Sequence, residues 1–123
     1  MHYKIRFGVP EMQEEWNLLS ERYKQEALTN PEKEYFKKLV KALKHLGANP
    51  KHPGLNSHEI VDLSSSAGVK VFESYIENDC PRARRIFWAY GPDRTEITVL
   101  GSDSHLNKNK GHLRVRLSKF PRP

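Results

Sequence analysis

The chain has 123 residues, a length that one hydrophobic core ordinarily serves. Apolar residues make up 37% and charged residues 29%, and five Phe, five Tyr and two Trp supply enough bulk for a core, which argues against a disordered body. The formal charge is +6, and Cys80 is the single cysteine, so an intrachain disulfide and a cysteine-based metal cluster are both excluded.

The charge is one-ended. Six Lys/Arg and no Asp or Glu lie between Ser104 and Pro123, leaving 15 basic against 15 acidic residues in the rest. An excess of this kind suits a polyanionic partner, because neutralised phosphates release condensed counterions; a solubilising tail is the bland alternative. Met1-His2-Tyr3-Lys4 does not open a signal peptide, and the longest apolar run is too short for a membrane span. The expectation is a soluble cytoplasmic protein with no membrane partner.

In chain order, Tyr3, Ile5, Phe7 and Val9 alternate with polar residues or glycine and predict a half-buried strand, ended by Pro10. Met12, Trp16, Leu19 and Tyr23 fall at helical spacing, predicting an amphipathic helix from Glu11 to Leu28. Asn30-Pro31-Glu32 signals a second helix start, with Asn30 as cap. That helix buries Phe36, Leu39, Val40, Leu43 and Leu46 and stops at Gly47 and Pro50. The short link predicts a helical hairpin, and its exposed Lys and Glu residues nearly balance.

Residues 49–66 are rich in Pro, Gly, Asn and Ser and read as a connector with one short strand at most. Three strands follow over Val69–Ile76, Arg85–Tyr90 and Glu96–Leu100, the last two joined by the turn sequence Gly91-Pro92-Asp93-Arg94. Leu113, Val115 and Leu117 alternate with polar residues; this admits a further edge strand and equally a segment that orders only on a partner. The order β-α-α-β-β-β predicts one α+β domain over 1–123, an antiparallel sheet of four or more strands packed on an N-terminal helical hairpin, with a basic tail over about 106–123. The second sheet face is expected to stay open as a binding surface.

Within this frame Glu73 sits mid-strand, where a carboxylate calls for exposure or a partner. A structural ion pair with Arg84 or Arg85 and a general-base role stand as alternatives. Alternation sends Arg84 and Arg85 to opposite faces, and an Arg fork suits phosphate. Tyr75, Trp88 and Tyr90 are candidate stacking platforms for unpaired bases, with burial in the core as the competing reading, whereas Phe72 and Phe87 read as core. His105, after the last strand, is the histidine best placed for proton transfer near neutral pH. The other five histidines are scattered without metal-ligand spacing, so neither a metal nor another cofactor is expected.

The element order, together with Val71-Phe72-Glu73-Ser74-Tyr75, Arg84-Arg85-Ile86-Phe87-Trp88 and Ile97-Thr98-Val99-Leu100, resembles the RelE/ParE toxin superfamily of bacterial type II toxin–antitoxin systems. On that match Glu73 takes the family's Glu, Arg85 the Arg of its Tyr-Arg-apolar-apolar-Tyr run, and Trp88 the closing aromatic. Tyr75 stands where Arg is frequent, Arg84 replaces the preceding Tyr, and His105, Lys108 and Lys110 stand loosely for the final basic cluster. The resemblance implies a metal-independent mRNA endoribonuclease, acting at the ribosome and inhibiting translation. The alternatives are a non-catalytic toxin-fold inhibitor of DNA gyrase and a basic nucleic-acid-binding domain. It implies Arg85, His105, Glu73 and Tyr75 as the catalytic set, with Lys70, Arg84, Trp88, Tyr90, Lys108, Lys110, Arg114 and Arg116 along the nucleic acid. The implied partners are mRNA, the ribosome and a cognate antitoxin, acidic and partly disordered, through which alone operator DNA would be reached.

Overall fold

A computed structural model of the chain describes residues 2–77, 84–102 and 117–121. The elements run β1 (Lys4–Phe7), α1 (Glu11–Lys24), α2 (Asn30–Ala48), a 3-10 turn (Pro53–Leu55), β2 (His58–Glu59), α3 (Val61–Ala67), β3 (Phe72–Tyr75), β4 (Arg85–Tyr90) and β5 (Glu96–Ser102). Three helices and a five-stranded sheet make an α+β fold. No helix among the described residues is long and apolar enough to cross a membrane.

Local chemistry fixes the helix boundaries. α2 starts one residue earlier than the Asn-Pro signal suggests, because Thr29 is its cap: the Thr29 hydroxyl accepts from the Glu32 amide at 3.3 Å, and the Glu32 carboxylate accepts from the Thr29 amide at 2.8 Å. This reciprocal arrangement satisfies two otherwise orphaned donors. α1 ends at Lys24, short of Leu28, and Glu26 takes a left-handed φ of 54° as the chain turns.

The sheet order is β1-β5-β4-β3-β2. The expected all-antiparallel sheet is corrected: β1 pairs with β5 in parallel, Lys4 opposite Glu96 and Phe7 opposite Val99, so the sheet is mixed. Short connections in sequence favour only the antiparallel β3–β4–β5 run, whereas β1 meets its neighbour after the chain has crossed both long helices, and such a crossover permits a parallel pair. A bulge between Phe87 and Trp88 shifts the β4–β5 register.

Side-chain alternation divides the core in two. On one face Phe72, Ile86, Trp88, Ile97 and Val99 pack against Met12 and Leu19 of α1 and Phe36, Leu39, Leu43 and Leu46 of α2. On the other, Val71, Phe87, Ala89 and Leu100 pack against Ile60 and Leu63, with Leu117 and Phe120 alongside. The second face is therefore not open throughout. α3 and the segment around Lys119 close much of it, because β-branched and aromatic side chains there have apolar area to remove from water.

The C-terminal segment is pinned by hydrogen bonds. Lys119 exchanges two backbone bonds with Val9, the Ser118 amide donates to the Leu100 carbonyl at 2.7 Å, and the Ser118 hydroxyl accepts from the Met12 amide at 2.8 Å. The approach is close enough to require glycine at position 8, where a Cβ would come within 2.5 Å of the Ser118 Cβ. Among the described residues, the cluster on this face stops short of the corner where β2, β3 and the start of β4 meet.

Candidate functional site

Residues paired across an antiparallel ladder project from the same face. His58 pairs with Glu73, Glu73 with Phe87, and Tyr75 with Arg85, so register alone gathers His58, Glu73, Tyr75 and Arg85 at one corner. Glu73 is the centre of the group and is only 3% exposed. Its Oε1 accepts from Arg85 Nη1 at 2.9 Å, and its Oε2 lies 2.7 Å from His58 Nε2. A buried carboxylate held this way is the expected solution to the cost of desolvating a charge.

The two partners face solvent to different degrees. The His58 side chain is 51% exposed, and the Arg85 side chain 21%. His58 Nδ1 lies 3.1 Å from the Asn56 carbonyl oxygen. Both ring nitrogens thus face oxygen acceptors. The Tyr75 ring meets the His58 ring edge-on at 6.4 Å, and the Arg85 guanidinium lies 5.7 Å from the centre of the Phe87 ring. The corner combines an acid–base group, a planar cation, a phenol and a carboxylate that orients the first two.

Arg84 leaves this face, as alternation requires. Its Nε and Nη2 donate to the Glu77 carboxylate at 2.7 and 2.9 Å, its guanidinium covers the Tyr35 ring at 4.2 Å, and Lys38 approaches Glu77 at 3.3 Å. The Arg84 hydrogen bonds, helped by the Arg84 charge and a hydrogen bond from Lys38, outweigh burial and hold the Glu77 carboxyl at about 2, against an ordinary 4.5. A depressed folded-state pKa stabilises the fold fully above about pH 4.5, and that stabilisation disappears as pH falls towards 2. Glu77→Gln is accordingly expected to lower stability near pH 7 by roughly 1–2 kcal/mol, since the cluster is partly solvated. It should also flatten the loss of stability between pH 4.5 and 2, as read by thermal melts across that range. An unchanged acid slope in the variant speaks against the assignment.

The remaining sequence candidates are dispersed. Trp88 is buried, 1% exposed, on the α1/α2 face, where its Nε1 donates to the Ser74 hydroxyl at 2.7 Å and its ring stacks on Phe72 at 4.8 Å. A base reaches it only if the helices unpack. Tyr90 is 43% exposed at the rim of that same face, beside Tyr3 and Trp88, and burial followed by the neighbouring Tyr3 phenol raises its pKa. Lys70 is exposed between α3 and β3. His105, Lys108, Lys110, Arg114 and Arg116 lie outside the described residues.

His58 is the residue that sequence reasoning passed over. It sits in a stretch with the composition of a loop, and its role appears only once the two-residue strand β2 is laid against β3. Among the described residues no three or more His, Cys, Asp or Glu side chains are grouped to hold a metal ion. No protein-family model matches the chain, and neither a curated protein nor a solved structure gives a match.

Proposed function

We propose that this chain is a RelE-like toxin of a type II toxin–antitoxin system that cleaves mRNA without a metal, at the ribosome, and so inhibits translation. One observation carries the reading: the buried Glu73 carboxylate binds His58 at 2.7 Å and Arg85 at 2.9 Å on a solvent-facing corner that also holds Tyr75. The chemistry asked of it is transesterification. The 2′-oxygen of a ribose bonds to the adjacent phosphorus, the bond from phosphorus to the 5′-oxygen breaks, and the products are a 2′,3′-cyclic phosphate end and a 5′-hydroxyl end.

That reaction needs a base for the 2′-hydroxyl, positive charge on the five-coordinate phosphate and an acid for the leaving 5′-oxygen. Arg85 meets the phosphate charge, since a guanidinium fork matches phosphate oxygens. His58 transfers one proton and His105 the other, with Tyr75 in a supporting role. Glu73 keeps His58 and Arg85 in register with each other. An acidic, partly disordered antitoxin would be the natural partner of a +6 chain, drawn to it by charge, and operator DNA would be reached through that complex.

The test is inducible expression with and without the neighbouring reading frame, followed by mapping of RNA ends. Growth arrest with new cyclic-phosphate ends, relieved by the neighbour, is the expected result. His105→Ala should abolish cleavage in a translation extract while leaving the fold intact; retained cleavage removes His105 from the mechanism. Arrest with intact mRNA and relaxed plasmid DNA would instead establish gyrase inhibition, and absence of arrest would leave a plain nucleic-acid-binding domain.

A further inference from the structure

The near balance of charge over the two long helices conceals a segregation. α1 carries Glu11, Glu14, Glu15 and Glu21 against Arg22 and Lys24, whereas α2 from Tyr35 onward carries Lys37, Lys38, Lys41 and Lys44 with no carboxylate. Lys38, Lys41 and His45 are spaced three and four residues apart and so share one side of α2. They form one wall of a cleft of about 350 Å³, closed on the other side by His52, Tyr75 and Glu77.

The floor and walls of this cleft have a definite chemistry. The rings of His45 and His52 stack at 4.2 Å with 30° between their planes. His52 Nδ1 accepts from the Gly54 amide at 3.0 Å, which fixes that ring as a wall of the cleft. The single carboxylate of the lining, Glu77, is already matched by Arg84 and by Lys38. Lys41 makes no salt bridge among the described residues, so the lining keeps positive charge for an incoming anion. Tyr75 belongs to both places, lining the cleft and meeting the His58 ring of the His58–Glu73–Arg85 corner.

We propose that the cleft between α2 and β3 binds the nucleotide neighbouring the cleaved phosphate on a single-stranded RNA, with the base or ribose against the His45–His52 rings and a backbone phosphate on Lys41. The inference rests on the RNA-cleaving reading and names where its substrate continues beyond the reacting atoms. Ring-lined basic grooves suit single strands because every base offers a π-face and every linkage a charge. The cavity is of the size that takes a small organic ligand or one nucleotide, and it continues from the site through Tyr75.

Binding of a fully 2′-O-methylated RNA oligonucleotide to the whole chain tests the cleft without cleavage, since the attacking hydroxyl is blocked. Lys41→Ala is expected to weaken binding about five- to tenfold and to reduce the slope of log affinity against log salt by roughly one half to one. His45→Ala is expected to weaken binding roughly fivefold or more through lost stacking. Lys24→Ala, at the end of α1, serves as control and should change little. Lys41→Ala and His45→Ala proteins that bind like the wild type or like the control overturn the proposal. So does a polyglutamate peptide that competes as well as RNA with the same dependence on Lys41, which would mark the cleft as a protein site. Wild-type protein that binds with these dependences, yet produces no cyclic-phosphate ends on mRNA in a translation extract, refutes the nuclease reading and leaves the cleft standing. Cleavage of mRNA in that extract with binding indifferent to Lys41 and His45 refutes the cleft alone.

Discussion

Trp88→Ala is expected to lose about 3–5 kcal/mol of folding stability, measured by urea or guanidinium unfolding followed through the remaining tryptophan, Trp16. The size follows from placement. The indole is 1% exposed, stacks on Phe72 and is hemmed by Tyr90, so truncation empties a large volume in the larger core. The Ser74 hydroxyl also loses its Nε1–H donor, although it keeps the Ser57 hydroxyl at 2.6 Å. Trp88→Phe retains most of the packing and should lose only about 1–2 kcal/mol for the hydrogen bond and the smaller ring. Set against the roughly 5–15 kcal/mol that holds a typical domain folded, the alanine variant should accumulate poorly in cells. If Trp88 were a stacking platform the pattern would invert: Trp88→Ala would fold normally and bind RNA weakly, and Trp88→Phe would bind nearly as well as wild type.

The contrast between Trp88 and Arg85 shows what was legible in the sequence. The apolar and aromatic run Arg85–Tyr90, ended by Gly91-Pro92, located β4 to the residue, and strand geometry put Arg84 and Arg85 on opposite sides. It did not say which side was covered, because that depends on elements lying elsewhere in the chain. α1 and α2 covered the Trp88 side as their apolar stripes required. The covering of the Phe87 side was hidden in a seven-residue helix containing Ser64-Ser65-Ser66, residues that weaken any helical signal, and in a C-terminal segment whose contacts are long-range. β1 was legible as a strand, while its parallel partner was not, since periodicity carries no register between distant strands. The mid-strand Glu73 did announce a partner, and Arg85 is that partner. His58 gave no signal of its own: a two-residue strand in a Pro- and Ser-rich stretch has too few positions to show a period.

Glu73 is where stability and proposed chemistry separate most sharply. Glu73→Ala is expected to lose roughly 2–4 kcal/mol, because it leaves a buried cavity and strips the Arg85 and His58 donors of their shared acceptor. Partial exposure of both partners keeps the loss below that of a fully buried pair. Its activity is then uninformative, since any loss follows from the damaged fold. Glu73→Gln keeps the volume and one acceptor oxygen but cannot serve both neighbours as an anion. It should fold with a loss of about 1–2 kcal/mol and cleave RNA at least a hundredfold more slowly, on the scale of removing a positioned acid–base partner. Arg85→Lys should lose a similar factor, because a compact ammonium cannot reproduce the planar fork between carboxylate and phosphate. His58→Ala, at an exposed position, should fold normally and be equally slow. If the three residues act as one unit, the double variant Glu73→Gln/His58→Ala should be hardly slower than either single one. Multiplying losses would mean independent roles. A well-folded Glu73→Gln protein cleaving within threefold of wild type would make the cluster a structural ion pair and nothing more.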